Sequence, residues 1–214
     1  MRSPRVDRLH FRIAIGALLV SAVVLQPIAP EVSTAAVVRD WSMFHLDALH
    51  SGVTTDDAIT ASNVGGLSVR WQANTGAGSY VSPAVAWNAT LGKRLVYAGS
   101  VAGLFAAYDA VTGDRVWYFK AGAGISSSPA IDGNVVYVGS TDHKLYALNA
   151  TTGAVLCSFN TGNEIASSPV VADPDGHGKL VFVGDNGLSG ADDGGHFWAI
   201  NAVDPNAAAD CSQR

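Results

Sequence analysis

The sequence predicts an all-β fold, a β-propeller of four-stranded antiparallel blades. Three observations predict it. An anchor residue at Trp71, Trp117 and Cys157 is followed five residues on by Gly76, Gly122 and Gly162. Eleven and twelve residues on come Ser82-Pro83, Ser128-Pro129 and Ser168-Pro169. Next, "VYAGS" at 96–100 is answered by "VYVGS" at 136–140 and "VFVGD" at 181–185. The period is therefore near 40 residues, the length of one propeller blade. Finally, no segment after the first 36 residues keeps a 3.6-residue apolar period, which argues against a helical solenoid. A flat sandwich would explain short strands but not this self-similarity.

The chain opens on Arg2, Arg5, Arg8 and Arg12, an uncharged apolar run at 13–25, then Gln26, Pro27, Pro30 and small residues at 33–36. That is the layout of a Sec-type secretory signal peptide, here assigned to residues 1–36. An uncleaved anchor is the alternative, but the run is short of the ~20 residues a span requires. There is no Arg-Arg pair, so a twin-arginine signal is not expected. Export places the protein outside the cytoplasm, as a secreted, periplasmic or cell-surface protein with no span left after cleavage.

Residues 37–63 form an N-terminal segment and residues 64–214 a partial propeller. Its blades are expected at about 79–120, 125–162 and 165–214. In the middle copy the strands fall at 128–131, 135–139, 144–149 and 154–160. They are joined by turns at Asp132-Gly133-Asn134, 140–143 and 150–153, where Asp-Gly and Thr-Gly supply the positive φ of tight hairpins. Proline after each serine is tolerable at a strand start, where no ladder N–H is needed. The 23 glycines and 14% charged residues suit many turns between apolar strands rather than a disordered chain.

Residues 37–214 hold 9 Lys and Arg against 16 Asp and Glu, a net charge of −7. With no basic stripe, nucleic acid and anionic membrane are excluded as partners. The partner class that remains is an unknown protein or small-molecule ligand. Cys157 and Cys211 are the two cysteines, and export permits either a bridge or two buried thiols.

Candidate chemistry is sparse. Asp173 and Asp175 in "DPDGHG" resemble the start of a calcium loop, where alternating carboxylates converge on a hard cation. His177 stands where a third oxygen ligand is expected, so a polar hairpin turn competes with that reading. His45, Asp47 and His50 lie close enough to suggest a metal, but no further ligand is evident and a packed segment explains them better. "ADDGGH" at 191–196 reads as a solvated hairpin or as a rim loop contacting a ligand. The Asn-x-Thr sites at Asn88 and Asn149 are short enough to arise by chance. No nucleophile elbow or phosphate-binding loop occurs, and no catalytic residue is identified.

"AYDAVTGDRVW" at 107–117 resembles the repeat motif of the pyrroloquinoline-quinone (PQQ) enzyme-like β-propeller family, Ala-x-Asp-x-x-Thr-Gly-x-x-x-Trp. "ALNATTGAVLC" at 147–157 matches with Asn149 for Asp and Cys157 for Trp, and "AINAV" at 199–203 begins the motif and diverges. The resemblance covers roughly residues 60–214. It implies that Trp71, Trp117 and Cys157 dock neighbouring blades, the Cys157 junction being looser or covalently altered. "WSMFHLDALHSG" at 41–52 resembles the segment preceding the first repeat. Residues 67–73 are then the outer strand that closes the last blade. Relatives of seven or eight blades imply that these two full blades, most of a third and one closing strand are the N-terminal part of a longer ring.

Two functions follow from the resemblance. One is a binding or scaffold propeller without catalysis, similar to those of outer-membrane assembly. The other is the N-terminal part of a PQQ-dependent alcohol dehydrogenase, with polymeric alcohols among its substrates and PQQ and calcium as cofactors. No vicinal cysteine pair of that enzyme class is present, and no catalytic residue is carried over.

Overall fold

A computed structural model describes residues 40–53, 59–187 and 194–204. The proposed signal segment, Ala191–Asp193 of the acidic insertion, and Cys211 lie outside them. Three antiparallel sheets follow in chain order. Blade 1 contains β1 (Ala84–Asn88), β2 (Lys93–Gly99), β3 (Leu104–Asp109) and β4 (Arg115–Lys120). Blade 2 contains β5 (Ala130–Asp132), β6 (Val135–Gly139), β7 (Lys144–Asn149) and β8 (Val155–Asn160). Blade 3 contains β9 (Val170–Ala172), β10 (Leu180–Gly184) and β11 (Phe197–Asn201). Strands are ordered as in sequence, so each blade is a meander. Among the described residues no helix is long and apolar enough to cross a membrane.

The fourth strands bulge at the same place. Ala107 opposes Trp117 and Ala147 opposes Cys157, and the register shifts immediately afterwards, at Tyr108 and Leu148. The bulge re-aims the strand so that residue 117 or 157 faces the next blade. The first strand of blade 2 is shorter than expected, beginning at Ala130 rather than residue 128. The cause is local. The Ser128 N–H leaves the ladder and donates to the Ser168 hydroxyl in blade 3, at 3.2 Å. Likewise the Ser82 N–H donates to the Ser128 hydroxyl at 2.9 Å. The repeated Ser-Pro is thus a blade-to-blade hydrogen bond, with proline ending the ladder beside it.

The Asp/Asn-x-x-Thr-Gly motif is a self-capped turn. The Asp109 carboxylate accepts the Val111 and Thr112 N–H groups, and the Asn149 side chain does the same for Thr151 and Thr152. One oxygen is all this needs, so Asn replaces Asp without changing the turn. Asp109 also pairs with Lys93 at 2.8 Å. The lysine contact and the two N–H groups hold its carboxyl down to about 2. Gly153 closes the turn at φ +74°, and a Cβ there would lie 2.5 Å from the Trp117 ring. Glycine is required twice over, for the backbone conformation and for the indole seated on it.

One core lies between blades 1 and 2. It joins Phe105, Trp117 and Ile125 to Ile131, Val136, Val138 and Leu148. A second lies between blades 2 and 3, joining Tyr137, Leu145, Ala147 and Ile165 to Val171, Val181 and Val183. Ile125 and Ile165 are fully buried, each worth about 1.5–3 kcal/mol of transfer free energy. Tyr97 and Tyr137 are the largest fully buried side chains, and burial pushes both phenols up to about 12.

The N-terminal segment packs on the inner strands. Trp41 bridges Val85 in β1, and the Ser42 carbonyl accepts the Ile131 N–H at 2.7 Å. Met43 enters the blade 2–3 core. Here the expectation of a packed segment corresponds to contacts with two blades.

Candidate functional site

The predicted docking residues occupy equivalent positions. The Trp117 indole N–H donates to the Ala150 carbonyl at 2.9 Å, and that of Trp71 to the Ala110 carbonyl at 3.1 Å. Each carbonyl lies in the β3–β4-type turn of the following blade. Trp71 belongs to a stretch, residues 67–73, that carries no strand pairing among the described residues. Cys157, third in the series, is disulfide-bonded and packs against the blade 2–3 core beside Ala202 and Val203. A covalent link stands where the two earlier junctions use an indole.

Asp173 and Asp175 lie in the turn between β9 and β10. One Asp173 oxygen accepts the Gly176 and Gly178 N–H groups, and Asp175 accepts that of His177. These bonds close the hairpin within itself. Among the described residues no group of three His, Cys, Asp or Glu side chains stands together as a metal would require. His45 and His50 are exposed, at φ +57° and +50°. Phe44 stacks on His45 at 4.1 Å. Asp47 accepts the Ser51 N–H and hydroxyl and the Leu49 N–H. The Ser51 contacts hold its carboxyl below the usual carboxylate range.

Sequence reasoning offered the loop at 191–196, which includes His196, but missed the polar cluster built around Asp185. It lies at the end of blade 3 where β10 leads towards β11 and the blade 2–3 linker passes. Asp185 occupies the place of Ser100 and Ser140, and its side chain is wholly buried. Its Oδ1 accepts the His196 N–H at 2.7 Å and its Oδ2 the Trp198 indole N–H at 2.8 Å. The Asn163 amide reaches Oδ1 at 3.5 Å. His196 Nδ1 stands 3.6 Å from the same oxygen, with its ring half exposed. Burial pulls the Asp185 carboxyl up. The His196 N–H, the indole and the His196 ring outweigh it, leaving the carboxyl below its ordinary range.

Blade 2 carries a simpler version. Asp142 accepts the Tyr146 hydroxyl at 2.6 Å and the Gly122 N–H at 2.8 Å. Tyr146 is the positional equivalent of Trp198, and burial together with Asp142 raises its phenol pKa. Blade 1 has Ala106 at that position. The signal in the sequence was a departure from the repeat. "VGD" replaces "AGS" and "VGS", and Asn163-Glu164 replaces Ala77-Gly78 and Ala123-Gly124 in the linkers. The Asn186 N–H donates to the Glu164 carbonyl at 2.8 Å, fastening linker to loop. What results is a rigid acidic anchor holding an imidazole and an indole at the rim, able to donate, accept or stack.

A family model described as outer membrane protein assembly factor BamB matches residues 102–208. The chain belongs to the PQQ-like repeat family. Its fold is similar to quinohemoprotein alcohol dehydrogenase from Comamonas testosteroni, with a TM-score of 0.62 at 23% identity, covering 79% of this chain and 26% of that one. Quinohemoprotein alcohol dehydrogenase ADHIIG from Pseudomonas putida HK5 gives a TM-score of 0.61 at 20% identity, covering 76% and 25%. BamB from Moraxella catarrhalis gives 0.45 at 21% identity, covering 55% and 35%. No curated protein matches the sequence. The chain spans about a quarter of the length of the two dehydrogenases, and at these identities the likeness is one of fold.

Proposed function

We propose that the chain is part of an exported PQQ-like propeller that acts as a binding or scaffold module, with the Asp185–His196–Trp198 end of blade 3 as its contact surface. The observation that carries this is the concentration of departures from the repeat at that one end. Blade–blade packing needs only the serine, glycine and isoleucine that blades 1 and 2 use there. A buried carboxylate with an imidazole and an indole exceeds that need, and surface polar groups held by a rigid scaffold are characteristic of recognition sites. The description of the matching family model, an outer-membrane assembly factor, supports a scaffold role. It also supports export, in agreement with the signal-like residues 1–36.

The alternative is the N-terminal part of a PQQ-dependent alcohol dehydrogenase, favoured by the fold likeness to two quinohemoprotein alcohol dehydrogenases. The described residues do not supply a cage for the calcium of such an enzyme. Asp173 and Asp175 are engaged by their own turn, and no third ligand joins them. No catalytic step is therefore derived through PQQ or calcium.

One experiment separates the two readings. The protein is titrated with PQQ and calcium, and dye-linked oxidation of primary alcohols and of poly(vinyl alcohol) is followed. The binding-module reading predicts neither saturable binding nor dye reduction. Saturable PQQ binding with turnover would overturn it in favour of the dehydrogenase.

A further inference from the structure

We propose that the disulfide of Cys157 is a redox-dependent clasp between blades 2 and 3, closed to Cys211, and that blade 3 is fixed in its described packing only while the clasp is oxidised. Cys157 is disulfide-bonded, and Cys211 is the one other cysteine of the chain. The bond therefore ties β8 of blade 2 to the stretch of sequence that follows β11 of blade 3. No such bond joins blade 1 to blade 2, since neither contributes a second cysteine.

The clasp replaces two things at once. At the earlier junctions an indole rests on a glycine. A Cβ on Gly113 would lie 2.7 Å from the Trp71 ring, and one on Gly153 2.5 Å from that of Trp117. Indole and glycine are a matched pair, because a larger residue beneath the ring would collide with it. At the blade 2–3 junction both members change together. Cys157 takes the indole position, opposite Ala147 as Trp117 is opposite Ala107. The turn after β11 starts like its counterpart, the Ala202 N–H donating to the Lys179 carbonyl as the Ala150 N–H donates to that of Asn134. It then departs. The Val203 N–H donates to the Tyr137 hydroxyl at 2.8 Å, and no glycine occurs from 196 to 211. A turn without its glycine has no place for an indole. A partly buried thiol in the same position fills less volume than the ring it replaces, so the covalent bond supplies what packing does not.

The clasp also stands beside the polar cluster. Cys157 and Phe159 are two residues apart on β8, so both face blade 3 and both pack against its core. Phe159 meets the Trp198 ring edge-on at 5.2 Å, and that indole is the one Asp185 holds. Opening the clasp takes two electrons and two protons, supplied by a dithiol. One thiolate of the dithiol attacks a sulfur of the clasp, the S–S bond breaks, and a mixed disulfide forms. The second thiol of the reagent resolves it, leaving Cys157 and Cys211 as thiols and the dithiol as a cyclic disulfide. The loop between residues 157 and 211 then regains its conformational freedom on opening, and blade 3 loosens. Blade 3 and its polar cluster are therefore fixed only where disulfides persist, outside a reducing cytoplasm.

Peptide mapping without reductant, followed by amide hydrogen exchange with and without dithiothreitol, tests this on the purified protein. The expected map holds one peptide pair linked through Cys157 and Cys211 of the same chain. On reduction, exchange in β10 and β11 is expected to speed up at least about tenfold, while β2 and β3 change by less than about twofold. Cys211→Ser without reductant should reproduce the reduced pattern and should no longer respond to dithiothreitol. Free thiols at both positions in the oxidised protein, or a bond between two chains, would overturn the pairing. Exchange in β10 and β11 indifferent to reduction would overturn the clasp, and so would equal loss of protection in all three blades. The reduction experiment uses the unaltered chain, so it decides the matter even if Cys211→Ser fails to fold.

Discussion

Replacing Trp117 by alanine is expected to lower the stability of blades 1 and 2 by about 3–5 kcal/mol, the range for truncating a buried tryptophan. The indole is 8% exposed and contacts both sides of the blade 1–2 junction. It lies 5.9 Å from the Tyr97 ring and 6.0 Å from that of Phe105. Alanine would leave a cavity above Gly153, because that glycine has no side chain to fill it. It would also take one donor from the Ala150 carbonyl, which keeps only the Tyr97 hydroxyl at 3.3 Å. Trp117→Phe should retain most of the packing and lose about 1 kcal/mol for the hydrogen bond. Urea denaturation followed by tyrosine fluorescence measures both. A loss below about 1 kcal/mol for the alanine variant would mean that this contact does not hold the blades together.

Asp185→Ala is the second large effect. It removes the acceptor of the Trp198 indole and of the His196 N–H. Both donors are only partly buried, so a loss of about 1–3 kcal/mol is expected. The same carboxylate sets a pH dependence. Its folded pKa lies below the ordinary value of 3.8, so its contribution is fully present above the usual carboxyl range. It is lost as pH falls from about 4 through the folded pKa. Asp109, held at about 2, adds a loss of the same sign in the same window. Stability measured from pH 6 to pH 2 should therefore fall less steeply in Asp185→Ala than in the unaltered protein. An identical slope would show that Asp185 does not titrate differently on folding.

The blades were legible in the sequence because their determinants are local. The Asp109 or Asn149 side chain, the Thr-Gly after it and the paired turn all fall within five residues, so the turn carries its own signature. The docking tryptophans were legible through the repeat. What contacts them was not: Ala150 lies 33 residues from Trp117. The Ser-Pro landmark reads as a strand start, but its bond to the next blade links residues 40 or 46 positions apart and leaves no mark in composition.

The Asp185 cluster stayed hidden for a related reason. Asn163, Asp185 and His196 meet only because the linker and the long turn of blade 3 return to one end. Each alone reads as a polar loop residue. Its visible trace was a mismatch against the other two blades, which registers as information only once those blades have shown what the position ordinarily does. Conversely, the Asp173–Gly178 turn attracted attention through its carboxylates, and its hydrogen bonds account for them within the hairpin.

One serine-to-serine bond joins blade 1 to blade 2 and a second joins blade 2 to blade 3. Amide hydrogen exchange at Ser82 and Ser128 tests these junctions most directly. The account predicts slow exchange at Ser82 and Ser128 at every protein concentration. Ser82 and Ser128 amides exchanging as fast as an open turn would contradict the junction itself.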